Sequence, residues 1–206
     1  MQFSVYLFDF DGTIVDSRAS LYPVFKAGFA SVGRDVTEDE AERWMHLNLH
    51  ESLLDSGVPE SDYQTVIQAT IDALDMPESL AMITLFSEAI ENLKRIHQTG
   101  AKIGIVSNNT ASHIRLVLET LKVDVPFDVI VGSDMFTKGK PSSQPIDVAL
   151  DLLGYEGDRD RVVYIGDSLQ DPECAKNASC SGILVDREGQ YPDYEGARVR
   201  DLSEIE

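Results

Sequence analysis

Asp9-Phe10-Asp11-Gly12-Thr13 follows directly on an apolar run, Phe3 to Phe8, so two carboxylates two residues apart close a predicted first strand. In an open parallel sheet, ligands collect beyond the carboxyl ends of the strands, which puts both acids at the active edge. A pair so spaced can divide its labour. One carboxylate attacks an electrophile such as phosphorus, while the other protonates the departing oxygen and later activates water. Gly12 permits the tight backbone path that brings both there. Taken alone, the same residues also fit a strand ending in an acidic turn, or part of a calcium loop.

Three further strand ends carry residues suited to the same chemistry. The run Lys102 to Val106 leads into Ser107-Asn108-Asn109-Thr110 and then a helical pattern. That turn offers a hydroxyl and backbone N–H groups to a phosphate oxygen, or simply caps the helix. After Phe127 to Val131 come Lys138, Gly139, Lys140 and Pro141. A lysine there can stabilise charge on a transferring phosphoryl group and on its nucleophile, although two loop lysines can also stand in solvent. After Arg161 to Ile165 comes Gly166-Asp167-Ser168-Leu169-Gln170-Asp171, a second pair of acids at the same edge. Carboxylates crowded around Asp9 repel one another unless a cation intervenes, and oxygen ligands beside a phosphate suit magnesium.

The elements that must position these groups are legible as apolar runs separated by helical stripes, the alternation of a parallel sheet covered on both faces. A fifth run is Gly182 to Val185, and a short last strand is expected near Val199. Phe86, Ala89, Ile90, Leu93 and Ile96 make one helical stripe, and Ile114, Val117, Leu118 and Leu121 a second. Ile146, Ala149, Leu150 and Leu153 make a third, opened by Pro145 at a favourable helix start. Roughly ninety residues separate the first two strands, far more than a crossover needs, so a small helical domain is expected between them. It begins with Leu21, Val24, Phe25, Gly28, Phe29 and Val32, and a later stripe runs Tyr63, Val66, Ile67, Thr70, Ile71 and Leu74. Glu188 to Gly196 reads as an irregular loop.

These motifs, in order and at successive strand ends, resemble those of the haloacid dehalogenase superfamily of hydrolases, in its phosphoglycolate-phosphatase-like branch. The resemblance rests on Asp9 to Thr13, Ser107 with Asn108, Lys140-Pro141, and Gly166-Asp167 with Asp171. Val15-Asp16-Ser17 and the closing Asp201-Leu202-Ser203-Glu204 extend it over the whole chain. It implies an α/β fold: a Rossmann-like doubly wound parallel sheet core over residues 1–16 and 81–206, with a small α-helical cap domain inserted over 17–80. It also implies Asp9 as nucleophile, Asp11 as general acid and base, and Lys140 as the lysine that neutralises the phosphate, with Lys138 as the fallback. Thr13, Ser107 and Asn108 would bind phosphate. Magnesium would be held by Asp9, the Asp11 backbone carbonyl and Asp167, with Asp171 steadying its water shell.

The family's dehalogenases lack the second acid of the first motif, so Asp11 argues for phosphoryl transfer. Thr13 resembles the phosphatases rather than the sugar-phosphate mutases. Substrate choice is expected in the cap segment Trp44-Met45-His46-Leu47-Asn48-Leu49-His50, which lacks the glycine-containing loop frequent among relatives. That departure weighs against phosphoglycolate itself. His46 and His50, at helical spacing, fit a solvated face better than a ligand site, and Trp44 fits core better than a stacking platform. Inorganic pyrophosphate hydrolysis is the enzymatic alternative, and an idle regulatory member the rival from another class.

Composition narrows the partners. The chain of 206 residues is 43% hydrophobic and 26% charged, ordinary for a folded α/β protein. Seventeen basic against 36 acidic residues give a net charge of −19, which repels nucleic acid and anionic membranes. The expected partner is therefore a small phosphorylated metabolite met in a locally positive cleft. Phe3 to Phe10 is too short to span a membrane and lacks the lead of a signal peptide, so a cytoplasmic protein is expected. Cys174 and Cys180 are badly placed for a mutual disulfide and read as reduced structural thiols.

Overall fold

The computed structural model describes residues 3–44, 47 and 49–205. Met45, His46 and Asn48, of the segment where substrate choice is expected, lie outside the described residues. The chain divides into two units: one comprises everything up to Val15 together with everything from Leu85 on, the other Asp16–Thr84.

The larger unit is built on six parallel strands in the order β5-β4-β1-β6-β7-β8. These are β1 (Val5–Phe8), β4 (Lys102–Val106), β5 (Val129–Val131), β6 (Val162–Gly166), β7 (Ser181–Val185) and β8 (Arg198–Val199). Taken in sequence, this is the 3-2-1-4-5-6 order of a doubly wound sheet, with the order reversing between β1 and β6. β1 pairs with β4 through Val5↔Lys102 to Phe8↔Ile105, and with β6 through Val5↔Val162 to Phe8↔Ile165, so the carboxyl ends of the three strands are level. All four residues of β1 and all five of β6 are buried, as expected of central parallel strands covered on both faces.

Helices α6 (Ala89–Gln98), α7 (Ala111–Thr120), α8 (Gln144–Leu152) and α9 (Gln170–Asn177) fill the crossovers. Ile146, Ala149 and Leu150 of α8 and Cys174 and Ala175 of α9 pack on one sheet face, against Val5, Leu7, Val162 and Tyr164. Tyr6 and Phe8 alternate to the other face and are also buried. Three strand starts fall short of their runs: β1 begins at Val5 rather than Phe3, β5 at Val129 rather than Phe127, and β6 at Val162 rather than Arg161. For β5 the reason is local. The Asp128 carboxylate takes the Ile103 N–H (3.0 Å), replacing the backbone partner that would extend the ladder.

The smaller unit holds α1 (Arg18–Ala30), α2 (Glu38–Trp44), α3 (Leu49–Ser56), α4 (Tyr63–Leu74) and α5 (Pro77–Leu80). Its core joins Phe25, Phe29, Trp44, Leu53, Val58 and Val66. Trp44 is core, stacked on Phe29 at 5.1 Å, with its indole N–H donating to Asp55 Oδ2 (2.8 Å). The short strands β2 (Val15–Asp16) and β3 (Thr84–Leu85), where the chain leaves and re-enters the larger unit, pair as a second sheet. No helix among the described residues is long and apolar enough to cross a membrane. Cys174 and Cys180 are both free thiols.

Candidate active site

The carboxyl ends of β1 and β6, the loop after β5 and the start of α9 bring Asp9, Asp167, Lys140 and Asp171 together. Asp9 is buried, with Oδ1 accepting the Phe10 N–H at 2.8 Å and Oδ2 the Lys140 ammonium at 2.7 Å. Lys140 Nζ donates equally to Asp171 Oδ1, at 2.7 Å, so one buried ammonium bridges two buried carboxylates. Lys138 is exposed, and its backbone N–H is taken by Gln144 Oε1 (2.7 Å). The fallback lysine therefore stands outside the cluster.

Two glycines make the crowding of acids possible. Gly12 has φ +72°, and a Cβ there would lie 2.0 Å from Asp167 Oδ2. A Cβ on Gly166 would lie 2.2 Å from the Asp171 carboxyl carbon. Ligand oxygens of Asp9, Asp167 and Asp171 lie within 4.8 Å of one another. Asp171 Oδ2 accepts both the Ser168 N–H (2.9 Å) and the Ser168 hydroxyl (2.8 Å), so with Lys140 on Oδ1 both oxygens are engaged and the carboxylate orients the lysine.

The electrostatics follow from burial and crowding. Burial first, then the neighbouring Asp171 and Asp11, push Asp9 up to about 7 against the opposing pull of Lys140. Burial and the charges of Asp9 and Asp171 hold Asp167 well above the usual carboxylate range. Burial pulls the Lys140 ammonium down, but Asp171 and Asp9 together outweigh it and keep the lysine charged. Three clustered carboxylates against one ammonium carry surplus negative charge, and no ion pair reaches Asp167 among the described residues. A hard, oxygen-preferring divalent cation fits this donor set.

The phosphate-binding candidates divide. Ser107 is buried and its Oγ accepts the Asn109 N–H at 3.2 Å, while Asn108 lies beside Gly139. The backbone N–H groups opening α7 are less available than the sequence suggests. Thr110 Oγ1 takes the His113 N–H (3.2 Å) and Asp134 Oδ1 takes the Ala111 N–H (2.8 Å). Of the two readings of that turn, the helix cap is the one these bonds show. Thr13 is fully buried, and its hydroxyl has no hydrogen-bond partner among the described residues.

Two contributors carry no signal in the sequence. Asn109 Nδ2 donates to Asp11 Oδ2 at 2.6 Å. Arg187, beyond β7, donates to the carbonyls of Gly12 (3.4 Å) and Thr13 (3.1 Å), pairs with Glu88 at 2.6 Å and lies over the Phe86 ring at 3.6 Å. Neither belongs to a local pattern, because their partners lie 98 and about 175 residues away.

Comparison with known proteins agrees with this geometry. The family model described as haloacid dehalogenase-like hydrolase matches residues 6–185. A phosphoglycolate phosphatase of Aquifex aeolicus is 26% identical over 208 residues, covering 98% of this chain and 95% of its own. A pyrophosphatase of Listeria monocytogenes is 25% identical over 174 residues, covering 84% and 78% respectively. A solved structure from Bacteroides fragilis, described as haloacid dehalogenase-like, superposes with a TM-score of 0.83 at 28% identity, covering 95% of each chain.

Proposed function

Since the chain belongs to the haloacid dehalogenase-like hydrolases and is a phosphatase, we propose that it hydrolyses a small phosphomonoester with magnesium, through a phosphorylated aspartate at Asp9. The observation that carries this reading is the buried Lys140 ammonium held 2.7 Å from both Asp9 and Asp171 at the carboxyl edge of the sheet. A structural ion pair needs one acid; a second acid, with Asp167 crowded beside it, is costly unless the cluster serves a charged ligand.

In the first half-reaction the Asp9 carboxylate attacks phosphorus and Asp11 gives its proton to the ester oxygen as the bond to phosphorus breaks. Lys140 offsets the charge shared between nucleophile and phosphoryl group. Ser107, Asn108 and the unpartnered hydroxyl of Thr13 take the phosphoryl oxygens. In the second half, Asp11 accepts a proton from water as its oxygen attacks phosphorus, releasing phosphate and restoring Asp9. Asp9, the Asp11 backbone carbonyl and Asp167 would hold Mg2+, whose charge offsets that of the phosphoryl group and of the crowded acids.

The substrate is a small phosphorylated metabolite: a phosphoglycolate-like acid, a sugar phosphate or a nucleotide. The name of the Aquifex relative supports the first of these. The name of the Listeria relative supports a second reading, inorganic pyrophosphate, which the same aspartyl chemistry serves. Phosphate release measured across such a panel, with magnesium and with excess chelator, tests both. Magnesium-dependent turnover of one phosphomonoester is expected. Full turnover in chelator would remove the metal, and a preference for pyrophosphate would move the assignment to the second reading.

A further inference from the structure

Asp11 is held by a side chain that is itself locked in place. Asn109 Nδ2 donates to Asp11 Oδ2 at 2.6 Å. The Asn109 N–H donates to Ser107 Oγ (3.2 Å), and its carbonyl accepts the Ser133 N–H (2.8 Å). Gly132 makes room for this turn: a Cβ there would stand 2.7 Å from the Asn109 carbonyl oxygen and 2.0 Å from the Ala111 nitrogen. The amide therefore reaches Asp11 from a backbone fixed on both sides, not from a freely rotating surface residue.

The carbonyl oxygen of a protonated carboxyl is a better acceptor than its hydroxyl oxygen. While Oδ2 accepts the Asn109 amide, the proton of a protonated Asp11 is therefore favoured on Oδ1, and rotating the carboxyl gives up that bond. We propose that Asn109 is the positioning residue of the acid and base: it sets the carboxyl rotamer of Asp11 and directs the transferable proton to Oδ1. The inference rests on the reading of Asp11 as the group that protonates the leaving oxygen. In phosphorylation the Asp11 Oδ1–H bond breaks and its proton goes to the ester oxygen as that oxygen leaves phosphorus and Asp9 bonds to it. In dephosphorylation water returns a proton to the same oxygen.

Help from an acid matters for a poor leaving group and little for a nitrophenolate, so the two roles Asn109 could have are separable. Single-turnover phosphorylation is measured with an alkyl phosphate and with p-nitrophenyl phosphate for the native enzyme, Asn109→Ala, Asn109→Asp, Asp11→Asn and the Asn109→Ala/Asp11→Asn double variant. Melting temperature is recorded for each. Asn109→Ala is expected to lose about 10- to 100-fold on the alkyl ester and under about 3-fold on the aryl ester, with Asp11→Asn showing the same asymmetry more strongly. In the Asp11→Asn background, Asn109→Ala should add almost nothing, as for two residues acting as a unit. Asn109→Asp keeps the shape without the donor and should fall at least as far as the alanine variant, which guards against a loss caused by a hole. Equal losses on both esters from Asn109→Ala, with Asp11→Asn still asymmetric, would overturn the positioning role alone. A symmetric Asp11→Asn would overturn the acid assignment beneath it.

Discussion

The Lys140 ammonium has no water to fall back on, and neither do the two carboxylates it joins. Removing one partner of such a buried pair leaves an uncompensated charge and costs about 3–5 kcal/mol unless an acid takes up a proton. Raised toward 7 by burial, Asp9 can do that, but a protonated Asp9 is no longer a nucleophile. Lys140→Ala is therefore expected to lower kcat by at least about 10²–10³-fold, the scale of losing one oxyanion donor, while Lys138→Ala stays within about 3-fold. Initial rates at saturating substrate, with melting curves to show that the variants fold, check this; the reverse ranking would move the role to Lys138. At this scale the cluster was legible, because Asp9 and Asp167 directly follow strands, Lys140 and Asp171 stand between a strand end and the next helix or in its first turn, and acids so crowded call for a cation. The preference for Lys140 over Lys138 came from the family resemblance, since both stand in one loop, and the fold places Lys140 on Asp9 and Asp171. Asn109 and Arg187 were not legible. Their contribution is to bind other residues across long sequence distances, and no spacing rule encodes that.

The elements hold these groups through close contacts at strand ends and helix starts. At the end of β6, Gly166 leaves no space for a methyl group beside Asp171, which must keep both Lys140 and Ser168. Gly166→Ala should displace Asp171, costing about 1–3 kcal/mol of stability by overpacking and lowering kcat at least about 10-fold. Gly154→Ala, where a Cβ meets nothing but φ is +59°, should cost about 1 kcal/mol of stability and leave activity unchanged. Equal effects on activity would mean that the Asp171 position does not matter to Lys140. In the smaller unit, α2 opens with a reciprocal cap that the sequence reading passed over. Thr37 Oγ1 accepts the Glu40 N–H (3.3 Å) and Glu40 Oε2 accepts the Thr37 N–H (2.9 Å). Arg34 then pairs with Glu40 at 2.6 Å, donates to the Ser56 carbonyl and covers the rings of Phe29 and Trp44. The bond from Arg34, with those from Thr37, lowers Glu40 to about 2. A depressed carboxylate stabilises the fold above its unfolded value, near 4.3, and loses that contribution as pH falls through the folded value. Glu40→Gln should therefore melt lower than the native protein at pH 7, by about 0.5–1 kcal/mol, with the gap closing as pH drops from about 4.5 toward 2. A gap that persists unchanged to pH 2 would deny the charge any part in it. The helical stripes revealed α1, α4, α6, α7 and α8, but neither α2 nor this cap, because Thr37 and Glu40 precede any apolar periodicity.

At the scale of the whole molecule, two cores are connected by two chain crossings, and charge is the property they share. The separate nucleus of Phe25, Phe29, Trp44 and Val66 explains why roughly ninety residues could intervene between β1 and β4 without disturbing the level strand ends that make the site. The net charge of −19 surrounds that site with a negative field. The site does not reverse it: with Asp11 protonated as the acid, three carboxylates, one ammonium and the proposed divalent cation would leave a net charge of about zero. A dianionic phosphate would therefore approach against the distant field until it meets Lys140 and that cation. Added salt screens the distant part, since the Debye length falls from about 30 Å at 0.01 M to about 8 Å at 0.15 M. At constant free magnesium, kcat/KM for p-nitrophenyl phosphate is accordingly expected to rise about 2- to 5-fold over that range, while kcat, which reports the bound state, stays nearly constant. Running the series in both chloride and acetate separates screening from competition by an anion for the phosphate site. A kcat/KM that falls with salt in both series would mean that the substrate is drawn in by a positive funnel, and the cation-dependent site would then not be the only attraction an anion meets on its way to Asp9.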